Sequence, residues 1–308
     1  MAMDITLIAP KEGEFNKFQY WFAKAWEDAE GKSVCDIRIP HKLRALGGRL
    51  FGRPFWRSNK KVVILGCHRI ESKAWPWCCV NEIVPMMWDL WPENFDYFVK
   101  FLKSNRVKLC FVTASQNVGK IKKAYPGVEV VWVPEGIKVS EYKVGKPLAE
   151  RTIDILNYGR NVSWVNEAIE SYDFNQAITH VYNRDGKHYF KDFNSLLTGI
   201  RNSKMAICYP QCDTNPLRCG DVETLTQRYW ECMLSGTLMI GRAPKELVEI
   251  CDYNPVITLN DDPAPQIENI LNNIDDYQKL ADRNRMCAEE KADWSNRIPI
   301  VLQALKSI

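Results

Sequence analysis

Short apolar runs alternate with amphipathic stretches along the whole chain. The runs fall at 4–9, 34–39, 61–66, 82–87, 108–113 and 128–133, then at 152–158, 177–182, 205–209, 237–240 and 255–259. Runs this apolar suit strands covered on both faces. Between them, apolar positions three and four apart predict helices. At 14–29, Phe15, Phe18, Phe22, Ala25 and Trp26 would share one face; further helices are expected at 94–105, 115–124, 161–170, 191–202, 223–235 and 244–250, with a long helical tail from 264 to 306. Alternation of this kind implies parallel sheets covered by helices. A polar stretch at 134–150, holding Pro134, Gly136, Gly145 and Pro147, divides the pattern into two sheets. The expected organisation is α/β: a domain at 1–135, a linker at 136–150, a second domain at 151–290, and a C-terminal helix at 291–308 that can return to the first domain. Two doubly wound domains on one linker should place a cleft between the carboxyl ends of their strands.

Composition narrows the class. The chain has 308 residues, 46% of them apolar and 26% charged, with a net charge of +3. Those values suit a globular protein, and the charge alone does not imply a nucleic-acid binder. No run of 18 apolar residues occurs, so no spanning helix is expected. The N-terminus opens on Asp4-Ile-Thr-Leu-Ile8 without a basic region or a long apolar one, which excludes a secretory signal and predicts a cytoplasmic protein. Several of the eleven cysteines, such as Cys110 and Cys208, sit inside apolar runs and read as reduced and buried. Cys208, Cys212 and Cys219 have neither CxxC spacing nor a nearby histidine, so no metal site is expected.

The most informative segment is Glu223-Thr-Leu-Thr-Gln-Arg-Tyr-Trp-Glu231, continuing through Ser235-Gly236-Thr237 into the apolar Leu238-Met239-Ile240. Eight residues are a little over two helical turns, so Glu223 and Glu231 would point toward one cleft. An amphipathic helix with both acids in water is the plainer alternative.

Arg228-Tyr-Trp-Glu-Cys-Met-Leu-Ser-Gly-Thr-Leu-Met-Ile240 resembles the R-x-x-E donor-domain signature of GT-B glycosyltransferases, and Glu223 with Glu231 resembles their E-x7-E motif. Leu247-Val-Glu249, Pro255-Val-Ile-Thr258, Asp262-Pro263, Asp154 to Arg160 and Val133-Pro134-Glu135-Gly136 resemble other parts of that domain, over roughly 131 to 290. The resemblance implies two Rossmann-like domains and transfer of a sugar from a nucleotide-sugar, such as a UDP- or GDP-sugar, with no further cofactor. It implies that Glu231 clamps the ribose hydroxyls, since a carboxylate accepts two hydrogen bonds from a vicinal diol. Glu223, Thr224, Leu225 and Thr226 would approach the donor sugar and diphosphate at a helix start. Gly159 would open the phosphate loop, and Arg160 and Arg228 would neutralise the diphosphate. The lysine the family often carries about five residues after Gly-Arg is missing from Asn161-Val-Ser-Trp164; Arg218 is a stand-in. No Asp-x-Asp occurs, which agrees with a metal-independent enzyme. The E-x7-E pattern favours retention at the anomeric carbon.

The first domain should hold the acceptor, through Lys11 and Gly13 in the loop after the first strand, Trp88, and Arg49 and Arg53. Asp89, between Trp88 and Trp91 at a strand end, is a candidate base, or else a helix cap beside core tryptophans. His68 also ends a strand and is a third catalytic candidate with Asp89 and Glu223, or a structural residue. The segment 41–61 carries seven Lys/Arg and no acid, interleaved with Leu43, Leu46, Leu50, Phe51, Phe55 and Trp56. It suits a phosphate-bearing acceptor or an anionic membrane surface, with a peripheral location on its inner face, or a solvated loop. The expected function is a hexosyltransferase of polysaccharide or glycolipid synthesis acting on a saccharide or lipid-linked acceptor. A phage-type DNA-base glycosyltransferase, with nucleic acid as partner, is an alternative. So are an epimerase of the same fold and a non-catalytic nucleotide-sugar-binding module.

Overall fold

The computed structural model describes residues 5–9, 17–30, 34–36, 39–55, 58–67, 70–184 and 186–308. The chain divides into two compact units: 1–136 with 216–224 and 294–308, and 137–215 with 225–293. The first is built from β1 (Ile5–Ala9), α1 (Lys17–Glu30), β2 (Val34–Asp36), α2 (His41–Phe51), β3 (Lys61–Cys67), α3 (Glu71–Ala74), β4 (Glu82–Trp88), α4 (Pro92–Ser104), β5 (Leu109–Val112), α5 (Gln116–Ala124) and β6 (Glu129–Trp132). The second holds β7 (Ile153–Asn157), α6 (Ser163–Ser171), β8 (His180–Tyr182), α7 (Phe193–Arg201), β9 (Ser203–Cys208) and α8 (Gln211–Thr214). The chain then visits the first unit with α9 (Pro216–Cys219) and returns for α10 (Gln227–Leu234), β10 (Leu238–Gly241), α11 (Lys245–Cys251), β11 (Val256–Thr258), α12 (Pro263–Asn272) and α13 (Gln278–Lys291). A last helix, α14 (Ile298–Lys306), belongs to the first unit.

Both sheets are parallel, in the order β2-β1-β3-β4-β5-β6 and β11-β10-β9-β7-β8. β3 and β4 are buried almost end to end, as their unbroken apolar runs require. α1 buries Phe22 and Trp26 one turn apart. Phe22 meets Trp294 at 5.3 Å, edge to face, and Trp294 meets Trp88 at 6.1 Å. Lys61 donates to the carbonyls of Leu305 and Ile308, which ties the chain end to β3.

Four expectations change. The tail from 264 is three helices, interrupted by short turns at Ile274–Tyr277 and Trp294–Asn296. The helix expected at 223–235 begins only at Gln227, with Thr226 extended at its N-cap position (φ −107°, ψ 158°). The basic segment at 41–61 carries a helix, α2, despite Gly47 and Gly48. A Cβ on Gly47 would sit 2.5 Å from the Trp75 ring, and one on Gly48 would sit 2.9 Å from the Glu71 carbonyl. The glycines therefore cost helix propensity and gain close packing on α3. The polar stretch at 134–150 is fastened rather than loose: Ile137 bridges Asp293, and the Gly145 amide donates to Ser235 O at 3.1 Å.

One buried guanidinium organises the second unit. Arg151 Nη1 donates to Ser203 O at 2.9 Å and Thr237 Oγ1 at 3.0 Å; Nη2 donates to Ser235 O at 3.1 Å, and Nε to Lys146 O at 2.8 Å. Burial pushes its pKa down to about 10, which leaves it charged at neutral pH. Arg151→Ala should leave buried carbonyls without donors at about 1–3 kcal/mol each. Arg151→Lys should rescue it poorly, because an ammonium cannot span the fork. Urea unfolding followed by circular dichroism, with both variants at wild-type midpoints, would refute this role.

Candidate functional site

The site begins at the carboxyl end of β7, where a parallel sheet leaves its loops free for ligands. Tyr158 ends the buried run, and Gly159 turns the chain with φ +72°. A Cβ on Gly159 would lie 2.4 Å from Arg228 Nη2. The glycine thus supplies the left-handed backbone and the space for a guanidinium. Its carbonyl accepts from Asn183 Nδ2 at 3.0 Å, and Arg160 follows, half-buried in the same loop.

Opposite this loop lies α10, buried from Arg228 to Leu234. Arg228 and Glu231 are one turn apart and each only 9% exposed. Arg228 Cζ stands 5.1 Å from the Tyr158 ring centroid. Its Nη1 is buried with no hydrogen-bond partner among the described residues. Glu231 Oε1 accepts from Tyr142 Oη at 3.0 Å, and Oε2 accepts from Tyr158 Oη at 2.9 Å. Burial raises the Glu231 pKa, while the two tyrosine bonds and Arg228 oppose that rise. Burial, with Glu231 beside them, also raises both tyrosines, so they remain hydroxyl donors. Each carboxylate oxygen has a second lone pair. After serving both tyrosines, Glu231 can still accept from two vicinal hydroxyls.

Glu223 is placed differently from the expectation. It lies ahead of α10 and outside any helix, so the two glutamates do not share one, and they belong to different units. Its amide donates to Gln116 Oε1 at 2.6 Å. The Leu225 amide is engaged by Glu246 Oε2 at 2.9 Å, so it is not the phosphate donor expected of it. Thr226 stands at the N-cap position without a side-chain capping bond. Thr224 is 2% exposed, and its hydroxyl has no partner among the described residues.

In the first unit, Asp89 follows β4 and is half-buried, with φ 50°. A non-glycine residue in that region carries backbone strain of about 1–2 kcal/mol, which tends to gather at functional positions. Trp88 corrects an expectation: it is 2% exposed, between Phe18 at 5.6 Å and Phe22 at 6.1 Å, so its ring serves the core and offers no face to an acceptor. Arg49 on α2 and Arg53 just beyond it are exposed. Arg218, considered as a substitute for the missing lysine, lies in the first unit with Nε 3.5 Å from Glu93. Lys11, Gly13 and His68 lie outside the described residues. Among the described residues, no group of three His, Cys, Asp or Glu could hold a metal ion.

Sequence reasoning missed Tyr142 and Tyr158 as site residues. Tyr158 had a signal, standing beside Gly159 at a strand end. Tyr142 had none, because it falls in a stretch whose composition reads as a spacer.

No family model matches the chain, and no curated protein matches its sequence. Solved structures do match. HepE of Anabaena in complex with UDP-glucose aligns over 100% of both chains with a TM-score of 0.60 and 11% identity. The sucrose-phosphate synthase of Thermosynechococcus elongatus aligns over 99% of each chain, with a TM-score of 0.63 and 11% identity. A glycosyltransferase of Rickettsia africae covers 99% of this chain and 98% of its own, with a TM-score of 0.54 and 13% identity. Likeness at such low identity speaks to the backbone: this chain has the two Rossmann-like units of the GT-B fold.

Proposed function

We propose that the protein is a glycosyltransferase that moves a hexosyl group from a nucleotide-sugar to an acceptor hydroxyl. The observation that carries this reading is the buried Glu231, held by two tyrosines with a lone pair left on each oxygen and Arg228 one turn away. A carboxylate in that state suits a ribose diol. The orphaned Arg228 Nη1 suits a diphosphate, whose charge grows as the sugar leaves. Gly159 lets the chain approach that phosphate closely, and Arg160 adds a second cation to the loop. HepE was crystallised with UDP-glucose, which makes a uridine donor the first to try.

The second unit then holds the donor and the first unit the acceptor. Glu223 and Thr224 meet the donor sugar, and Asp89 is the base if the product is inverted; the E-x7-E pattern favours retention through a front-face path assisted by the leaving phosphate. No helix among the described residues is long and apolar enough to cross a membrane. The acceptor reading rests on Arg49 and Arg53, and we place the protein at the cytoplasmic face of a membrane.

Titration calorimetry with UDP and GDP tests the donor site. A hydrogen bond to a charged group contributes about 1.5–3 kcal/mol, so losing two should weaken nucleotide binding by about a hundredfold or more in Glu231→Ala. Glu231→Gln, which keeps a partner for the tyrosines, should fold normally and still bind weakly. Unchanged affinity in both would sink the assignment. Asp89→Ala should spare nucleotide binding and lower transfer.

Because burial raises the Glu231 pKa, its carboxylate should be lost at a higher pH than an ordinary glutamate's. Nucleotide affinity should therefore fall on acidification before the usual carboxylate range is reached. Nucleotide phosphates titrate too, so the informative quantity is the difference between wild type and Glu231→Gln. Parallel pH profiles for the two would contradict the role given to this carboxylate. Gly159→Ala should cost about 1–2 kcal/mol of backbone strain and displace the Arg228 guanidinium. A modest fall in Tm with a large fall in UDP affinity is expected; equal affinity would refute a phosphate-binding role for this loop.

A further inference from the structure

A second site, within the first unit, has chemistry that the donor site does not use. A cavity of about 1280 Å³ lies beside the end of β3, lined by Cys67, by α2 and by α4. Arg44, Arg49, Arg53, Lys73 and Lys100 line it, together with Arg218, which is paired with Glu93. The first five have no ion pair among the described residues. Among the described residues, the only acids on its wall are Glu71 and Glu93. Arg44 Nε donates to Ile39 O at 2.9 Å, and its Nη1 is buried without a partner. Lys73 Nζ reaches only neutral acceptors, Leu65 O at 3.2 Å and Gln19 Oε1 at 3.5 Å. Burial lowers the pKa of both groups, as expected for cations held without a counter-charge.

The cavity also has an apolar border. Leu46 and Leu50 line it, and Leu43 shares their helix face at spacings of three and four. Leu43, Leu46, Leu50, Phe51 and Phe55 are each more than half exposed. The glycine contacts explain the arrangement: α2 turns Gly47 and Gly48 toward Trp75 and α3, which leaves its leucines outward. Exposed leucines in a row are a cost in water that a monomer rarely carries without a use.

We infer that this cavity binds the phosphoryl group of an amphiphile, with the apolar chain lying along the leucine face of α2. Arg44 and Lys73 meet the phosphoryl oxygens, and Arg49 and Arg53 stand at the mouth. This deepens the acceptor assignment above and rests on it: the acceptor becomes a phosphate-bearing molecule with an apolar tail. Nucleic acid satisfies the cations but leaves the leucines in water, and a neutral glycolipid does the reverse.

The test uses the full chain and isothermal titration with octyl phosphate below its micelle concentration. Inorganic phosphate and octyl glucoside supply the head and the tail separately. Saturable binding of octyl phosphate, tighter than either control, is expected. It should weaken about tenfold or more in Arg44→Gln and in Lys73→Gln. The exposed pair Arg49→Gln/Arg53→Gln covers the case in which the inner variants fold poorly. UDP binding, read in the same samples, should not move. Its loss in the wild type would refute the donor assignment, whereas octyl phosphate failing while UDP binds would refute this inference alone. Phosphate binding as tightly as octyl phosphate, or a single-stranded oligonucleotide displacing it, would also overturn it. Phosphatidylcholine vesicles with and without phosphatidylglycerol separate the two sources of such a group. Capture by the anionic vesicles, reversed by octyl phosphate, assigns the site to a lipid headgroup; octyl phosphate binding without vesicle capture assigns it to a dispersed acceptor. Either result supports the shared chemistry.

Discussion

The site in the second unit depends on a charge that never touches it. Arg151 sits at the amino-terminal edge of the sheet and donates to carbonyls or hydroxyls at the starts of β9 and β10 and at the end of α10. α10 is buried along nearly its whole length, so it cannot rely on solvent to satisfy its last carbonyls. Arg151 does this in place of water. The turn Ser235-Gly236-Thr237 then runs directly into β10, with Gly236 at φ +64°. Once the end of α10 is fixed, its eight residues fix where Arg228 and Glu231 stand.

From that constraint the chemistry follows by geometry. Positions i and i+3 of a helix share a face, so Arg228 and Glu231 present together to the loop after β7. Two ionisable groups in a dry place would each be costly, and neither neutralises the other through a direct ion pair. Glu231 is met by Tyr142 and Tyr158 instead, and neutral donors leave its negative charge in place. An arginine salt bridge would have consumed the carboxylate; two single hydroxyl bonds leave half its acceptor capacity for a ligand.

How much of this could be read from residues alone divides along one physical line. Strands were legible because full burial writes itself as an unbroken apolar run, as in Val62 to Leu65 and Ile83 to Trp88. That Arg228 and Glu231 stand one turn apart on a helix was legible because that spacing is local. The start of α10 was not. Glu223-Thr-Leu-Thr has nothing that forbids helix, and the chain is not helical there because tertiary partners claim its amides: Gln116 for Glu223 and Glu246 for Leu225. α2 was not foreseen within the basic segment: Gly47 and Gly48 cost helix propensity, and packing on Trp75 offsets it. Trp88 was expected to face an acceptor because it ends a strand beside Asp89, yet Phe18, Phe22 and Trp294 surround its ring and draw it into the core. In each case the sequence carries the propensity and a distant residue decides the outcome.

The two ends of the E-x7-E spacing stand in different surroundings. A buried guanidinium nitrogen without an acceptor destabilises the unliganded protein, by about 1–3 kcal/mol for a group left unsatisfied. A chain gains nothing from that arrangement unless something supplies the acceptor. Arg228 is kept in this state by Gly159, whose missing Cβ makes room for it, and by the Tyr158 ring beneath it. Tyr158 therefore acts twice, stacking under the cation and donating to the anion. Glu223 lies ahead of α10, outside any helix and in the other unit. In the candidate site, the cluster of Tyr142, Tyr158, Gly159, Arg228 and Glu231 leaves a buried guanidinium nitrogen without an acceptor and a lone pair on each carboxylate oxygen. A diphosphate next to a ribose diol presents the complement of that set.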